Sequence, residues 1–285
     1  MSINRIFLTA IFATILLSVH GYAQCSDAGV CAIGHAPTAD KKQYSVDIRY
    51  RYGNSGKEDK IAYNSFELKA AVSVYQQTSL LLSFPFYRFN TGANGDANGI
   101  GDLMAFINQD FDAFSNARLS VLLGMRLATG NTNANPDLPQ AYQPGLGTTD
   151  IIFGLKYTGE SFLLSAGYQL VENVFTKNEL TPIRRGDDLY LQFAYLFETG
   201  DFDIKADAQM IQRLAKTMLK NQDGTINELD KTDQMQINIG AEVNYRLDGT
   251  NNLVSGFAMP ILKRETNIDG LTRVLTFFAG WRLQL

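Results

Sequence analysis

From Asp233 to Leu247 the odd positions are mostly apolar (Met235, Ile237, Ile239, Ala241, Val243, Tyr245, Leu247), and the even ones are polar or small (Gln234, Gln236, Asn238, Gly240, Glu242, Asn244, Arg246). A period of two marks a strand with one greasy face and one wet face. Asp188 to Phe197 repeats it, with Leu189, Leu191, Phe193, Tyr195 and Phe197 opposite Asp188, Tyr190, Gln192 and Ala194. Asp201 to Met210 sets Phe202, Ile204, Ala206, Ala208 and Met210 against Asp203, Lys205, Asp207 and Gln209. Near the start, Val46, Ile48, Tyr50 and Tyr52 alternate with Asp47, Arg49 and Arg51.

About twelve such segments are predicted, at 43–53, 61–75, 79–89, 102–111, 117–129, 148–158, 161–172, 187–197, 201–213, 232–247, 252–262 and 271–285. The pattern is weak at 102–111 and 252–262, and Pro85 and Pro260 interrupt two segments, so the count spans 10 to 14. Globular strands usually run about five or six residues, whereas a tilted bilayer crossing needs about 9 to 11. The connections sort by length. Tight ones (76–79, 112–116, 158–160, 198–201, 248–251) take turns with long polar ones (90–101, 131–147, 173–186, 215–231). This asymmetry, with an even strand number, predicts a closed antiparallel transmembrane β-barrel with short periplasmic turns and longer extracellular loops.

The amino terminus fits export. Arg5 precedes an apolar run from Ile6 to Leu17, and Gly21-Tyr22-Ala23 forms a small-x-small cleavage pattern, so residues 1–23 read as a signal peptide. Beyond it no apolar run approaches the roughly 20 residues of a spanning helix. The division predicted is therefore 1–23 signal peptide, 24–42 periplasmic amino-terminal segment and 43–285 barrel in the outer membrane. With 25 Lys+Arg against 29 Asp+Glu the chain is mildly acidic, and nucleic acid is not an expected partner. The expected partners are outer-membrane lipid, the barrel assembly machinery and a small-molecule solute.

If the apolar face meets lipid, the other face lines the lumen. It carries Arg49, Arg51, Lys69, Arg118, Arg126, Lys156, Lys205, Arg246 and Arg282, with Asp47, Glu67, Asp203, Asp207 and Glu242. Inward charges of both signs must be hydrated or paired. A barrel of about 8 strands is filled by its own side chains and one of 16 to 18 holds an aqueous channel, so about twelve leaves either a narrow charged path or a polar plug.

Candidate chemistry is sparse. His20 leaves with the leader and His35 precedes the first strand, so no histidine-based catalytic or metal site can be assembled, and neither enzyme activity nor a cofactor is expected. The loops 94–102 and 221–230 echo calcium-binding loops without the closing glutamate, and read as turn formers. The only cysteines are Cys25 and Cys31. A lipid anchor needs a small residue where Gln24 stands, a metal needs more ligands, and the spacing is not that of a redox pair. In an oxidising periplasm a Cys25–Cys31 disulfide is the expected state.

The final strand ends "GWRLQL", which resembles the glycine-x-x-hydrophobic-x-hydrophobic signal read by barrel assembly machinery, carried by Gly280, Leu283 and Leu285. Three further stretches carry a family resemblance: "GIGDL" (Gly99 to Leu103), "LATGN" (Leu127 to Asn131) and "GLGTTDIIFGLKY" (Gly145 to Tyr157). On these the chain resembles the outer-membrane barrel family named after the meta-pathway of phenol degradation, with Asn131 where the family usually has aspartate. "CSDAGVC" is similar to the amino terminus of Bacteroidetes-type relatives. The resemblance implies passive or facilitated passage of a small solute, often hydrophobic or aromatic, met by lumen arginines such as Arg49, Arg51, Arg126, Arg246 and Arg282. The competing expectation is a closed barrel with a structural or surface-recognition role through loops 131–147 and 173–186.

Overall fold

The computed structural model describes Ile33, residues 44–114 and residues 117–285. Its strands run in chain order β1 (Tyr44–Asn54), β2 (Ala62–Tyr75), β3 (Thr78–Gly92), β4 (Gly95–Gly99), β5 (Leu103–Phe114), β6 (Ala117–Leu127), β7 (Asp150–Thr158) and β8 (Phe162–Val171). They continue as β9 (Ile183–Arg184), β10 (Asp188–Thr199), β11 (Phe202–Arg213), β12 (Thr217–Lys220), β13 (Ile226–Leu229), β14 (Met235–Arg246), β15 (Asn251–Leu262) and β16 (Leu275–Gln284).

Twelve of these form a closed antiparallel ring, β1-β2-β3-β5-β6-β7-β8-β10-β11-β14-β15-β16 and back to β1. The closing seam runs from Ser45 opposite Gln284 to Asn54 opposite Leu275. Beyond it, Leu285 N–H donates to the Tyr44 carbonyl at 2.9 Å and Tyr44 N–H to the Leu285 carbonyl at 3.2 Å. Closure leaves no unpaired edge in the wall, which a strand facing lipid cannot tolerate.

The alternation decides which face goes where. On β14 the side chains of Gln236 and Asn238 are fully enclosed while Ile239 stands out from the wall; on β7 Ile151, Phe153 and Leu155 are exposed between buried Asp150, Ile152 and Lys156. Aromatic pairs mark the outer surface, among them Phe202–Tyr245 stacked at 4.8 Å and Tyr50–Phe66 at 5.3 Å. Such an apolar exterior on a closed ring, with aromatic pairs upon it, is the surface of a barrel that spans a membrane.

The two prolines sit where the ladder is already irregular. Pro85 in β3 faces Glu67 beside a register shift at Phe66/Glu67, and Pro260 in β15 faces Asn238 beside a shift at Ile237/Asn238. A bulge spares the missing N–H from breaking a regular pair. Two connections differ from expectation. Much of the stretch 90–101 is paired rather than looped, because β3 continues to Gly92 and turns back as β4. Within 215–231, β12 and β13 form a hairpin that joins β9 in a separate small sheet. The last strand starts at Leu275, and residues 271–274 are instead buried ahead of it.

Short turns and both ends of the ring lie together at one end, and the long loops at the other. Halfway up, the interior is apolar: Leu81, Phe106, Leu122, Ile152, Tyr190 and Ile211 pack together inside the wall. Ile33, the one described residue ahead of Tyr44, is fully buried in this cluster, lying where a Cβ on Gly154 would be 2.9 Å from it.

Candidate functional site

The lumen is built in tiers. At the short-turn end β1, β2, β11, β14 and β16 aim their charges at one another. Asp47 accepts from both Arg49 and Arg282, the latter at 3.0 Å; Arg51 pairs with Glu67 at 2.9 Å. Glu242 gathers Lys205 at 3.4 Å, Arg282 at 3.8 Å and Arg49 at 3.9 Å. Lys69 lies within electrostatic range of Arg49, Glu67 and Asp47. Across the lumen Arg118 approaches Asp110 at 3.7 Å, and Lys156 is held inside the wall near the same carboxylate. Asp207 accepts from Gln192 and Gln209, and Arg246 pairs with Asp203 at 3.2 Å at the rim. Water reaches this tier, since the side chains of Arg246, Arg118 and Arg282 keep 41%, 31% and 21% of their exposure.

The long-loop end is filled. Residues 128–149 fold inward, and a 3-10 turn at Gln140–Tyr142 seats Tyr142 against Ile61, Tyr63, Ala97 and Leu138. Asn90 and Arg88 hold the turn by donating to the carbonyls of Tyr142 and Pro144, each at 2.8 Å. Loop 263–274 packs beside it: Arg273 stacks over the Tyr63 ring at 4.5 Å, and a Cβ on Gly270 would meet the Ala141 carbonyl at 2.7 Å.

The three glycine-rich stretches converge on the root of this plug. Asp102 accepts from the backbone N–H of Gly130 at 2.9 Å and of Leu146 at 2.7 Å, tying the start of the inward loop to its end. Asn131 exchanges bonds with Ile100, and Leu103 N–H donates to Thr129 Oγ1. Gly130 and Gly145 cross so closely that a Cβ on either would lie 2.7 Å or less from the other's backbone. What reads in the sequence as three short motifs is one knot, in which glycine is required by the approach of two backbones.

Above the apolar middle lies a second charged tier, of which only Arg126 is among the predicted lumen charges. Asp150 accepts from Arg126, from Arg185 at 2.9 Å, from Gln169 and from Thr148 at 3.1 Å. Arg213 grips Asp188 through two nitrogens at 3.1 and 3.2 Å, and Asp269 at 2.8 Å. Arg264 stands 3.8 Å from Asp188. Asp188 stands on the polar face that alternation assigns to its strand; Arg185, Arg264 and Asp269 sit in loops, where no period marks a side chain as buried.

Of the other predicted positions, Gly280 faces inward against Arg49, where a Cβ would be 2.5 Å from the Ile48 carbonyl, while Leu283 pairs with Val46 and Leu285 is exposed beyond the last strand. Cys25, Cys31 and His35 lie outside the described residues. In the loop 221–230 the Asp223 carboxylate is taken by Thr225, whose N–H and hydroxyl donate at 2.9 and 2.7 Å, as in a tight turn.

No protein-family model and no curated protein matches the sequence. Among solved structures the chain is similar to an outer membrane channel from Pseudomonas putida F1, at 13% identity and a TM-score of 0.64, covering 94% of this chain and 100% of that one. It is also similar to the translocator domain of the autotransporter NalP from Neisseria meningitidis (TM-score 0.53, 10% identity, 97% of each chain). The NanC porin matches with a TM-score of 0.50 and 10% identity, over 85% of this chain and 100% of that one. At such identities the shared property is the fold, that of outer-membrane barrels.

Proposed function

We propose that this protein is an outer-membrane channel through which a small solute passes passively or by facilitated diffusion. Residues 1–23 are removed on export, the short turns face the periplasm and the long loops face outward. The observation that carries the reading is the wet, charged tier inside the wall, where Arg118, Lys205, Glu242 and Arg282 meet solvent in an otherwise lipid-facing barrel. Charges are not kept inside a lipid-embedded wall without water or partners, and a hydrated charged lumen is what the water-filled interior of a porin carries. The resemblance to barrels named after phenol degradation, and the outer membrane channel from Pseudomonas putida F1 among the structural neighbours, support the same reading. Passage requires the inward loops 128–149 and 263–274 to yield, since they fill the outer end.

That filling favours a second reading, a closed barrel whose loops act in surface recognition, with Tyr142, Leu138 and Leu271 as the seal. Solute uptake into liposomes separates the two. The purified, heat-modifiable barrel is expected to admit small organic solutes at a rate that changes in Arg282→Ala. Liposomes that stay as tight as protein-free ones would leave the closed reading standing.

A further inference from the structure

Among the described residues, arginines outnumber acids in the upper tier. Four guanidiniums (Arg126, Arg185, Arg213, Arg264) share three carboxylates (Asp150, Asp188, Asp269), all seven buried. Arg213 satisfies its two acids with short bonds, and Arg126 and one nitrogen of Arg185 take Asp150. Arg264 is left over: 1% exposed, 3.8 Å from Asp188 and so beyond hydrogen-bond reach, with none of its three nitrogens bonded among the described residues. Nε and Nη1 of Arg185 are likewise unbonded among them, and Arg185 and Arg264 lie within electrostatic range of each other. Two enclosed forks with unused donors, within electrostatic range of each other, form a cradle suited to an anion.

We infer that Arg185 and Arg264 form a binding subsite in the lumen for a small monocarboxylate, whose two oxygens bridge the two guanidiniums. The planar fork of arginine suits a carboxylate in bidentate contact, and two forks suit its two oxygens. The tier rests directly on the apolar middle: Tyr190 follows Asp188 on the inward face of β10, Ile211 precedes Arg213 on β11, and Leu271 follows Asp269. A carboxylate with a small apolar body therefore finds donors above and hydrocarbon below. The subsite deepens the channel reading and takes its meaning as a transport step from it, but the binding itself is independent of passage.

The test is binding of benzoate by the full mature barrel in detergent, followed by calorimetry and by thermal melting, with chloride at equal ionic strength as the comparison. Benzoate is expected to bind saturably and to raise the melting temperature beyond chloride. Arg264→Gln and Arg185→Gln are each expected to weaken binding at least tenfold, while Lys220→Gln, on the exposed hairpin, leaves it unchanged. Arg264→Lys keeps the charge but not the fork and is expected to lose affinity as well, which covers an Arg264→Gln chain that fails to assemble. No saturable benzoate binding, equal stabilisation by chloride, or undiminished binding in the arginine variants would overturn the subsite. Saturable binding without uptake into liposomes would uphold the subsite and remove the channel.

Discussion

Asp150 accepts from four side chains in the lumen, and its removal measures how dry the upper tier is. Fully buried at the start of β7, it compensates Arg126 and Arg185 and accepts from Gln169 and Thr148. In Asp150→Ala two guanidiniums face each other with no acid between them, and breaking a buried pair in this way costs about 3–5 kcal/mol. Two neutral donors lose an acceptor as well, at about 1 kcal/mol each, though some water entering the vacated space offsets that. A net loss of about 4 kcal/mol is expected. At a urea slope of about 2 kcal/mol per molar, the unfolding midpoint falls by about 2 M. Trp281, the only tryptophan, sits on the outer face of the closing strand opposite Ile48 and reports the transition by fluorescence. Replacing Arg126 and Arg185 with Met in the same chain is expected to restore most of the loss, because apolar side chains of similar volume need no counter-charge. A loss under about 1 kcal/mol in Asp150→Ala would refute the reasoning, since it would mean that the tier is open to water.

Gly130→Ala forces a Cβ to 2.7 Å from the Gly145 backbone and 2.9 Å from that of Gly101; a loss of about 1–3 kcal/mol and faster proteolysis of loop 128–149 are expected. Gly124 lies opposite Phe106, whose ring would be 2.1 Å from an added Cβ, so Gly124→Ala is expected to destabilise by a similar amount and Gly124→Ala with Phe106→Leu to recover in chemical melts. Outside the wall, Lys231 bridges to Glu265; this bond holds Glu265 below its ordinary 4.5 and Lys231 above its ordinary 10.5. The bridge is therefore fully present above pH 4.5, is lost as pH falls through the lowered Glu265 value, and is lost again as pH rises past the raised Lys231 value. Limited proteolysis of loop 214–234 is expected to be flat between about pH 5 and 10 and to rise outside that window, whereas in Lys231→Ala it is raised inside the window as well and loses that pH dependence.

Most of the wall was legible because alternation is a local record of two environments. On β10, β11 and β14 the more buried side chains fall on the polar positions and the more exposed ones on the apolar positions, and the turns around Gly200 and Asp248 followed from the same count. Legibility ended where burial loses its period. Tyr142 and Leu271 sit in loops rich in polar and small residues, yet both are buried because those loops fold into the lumen rather than over it. Arg185 and Arg264 look in the sequence like ordinary loop cations, and only the assembled barrel encloses them. Of the predicted lumen residues, Arg49, Arg51, Glu67, Lys205, Glu242 and Arg282 come together at the short-turn end, whereas Arg126 belongs to a different tier beyond an apolar layer. Strand register, which sets that vertical order, is fixed by pairing across the sheet and not by any one strand.

The central claim is that the lumen conducts. Single-channel recording of the purified full-length mature protein in a planar lipid bilayer tests it most directly. Small, reproducible conductance steps are predicted, below those of 16-stranded porins because twelve strands enclose a narrower lumen, with a current that changes in Arg282→Ala. A correctly assembled barrel that inserts and remains electrically silent at every applied voltage would contradict the account.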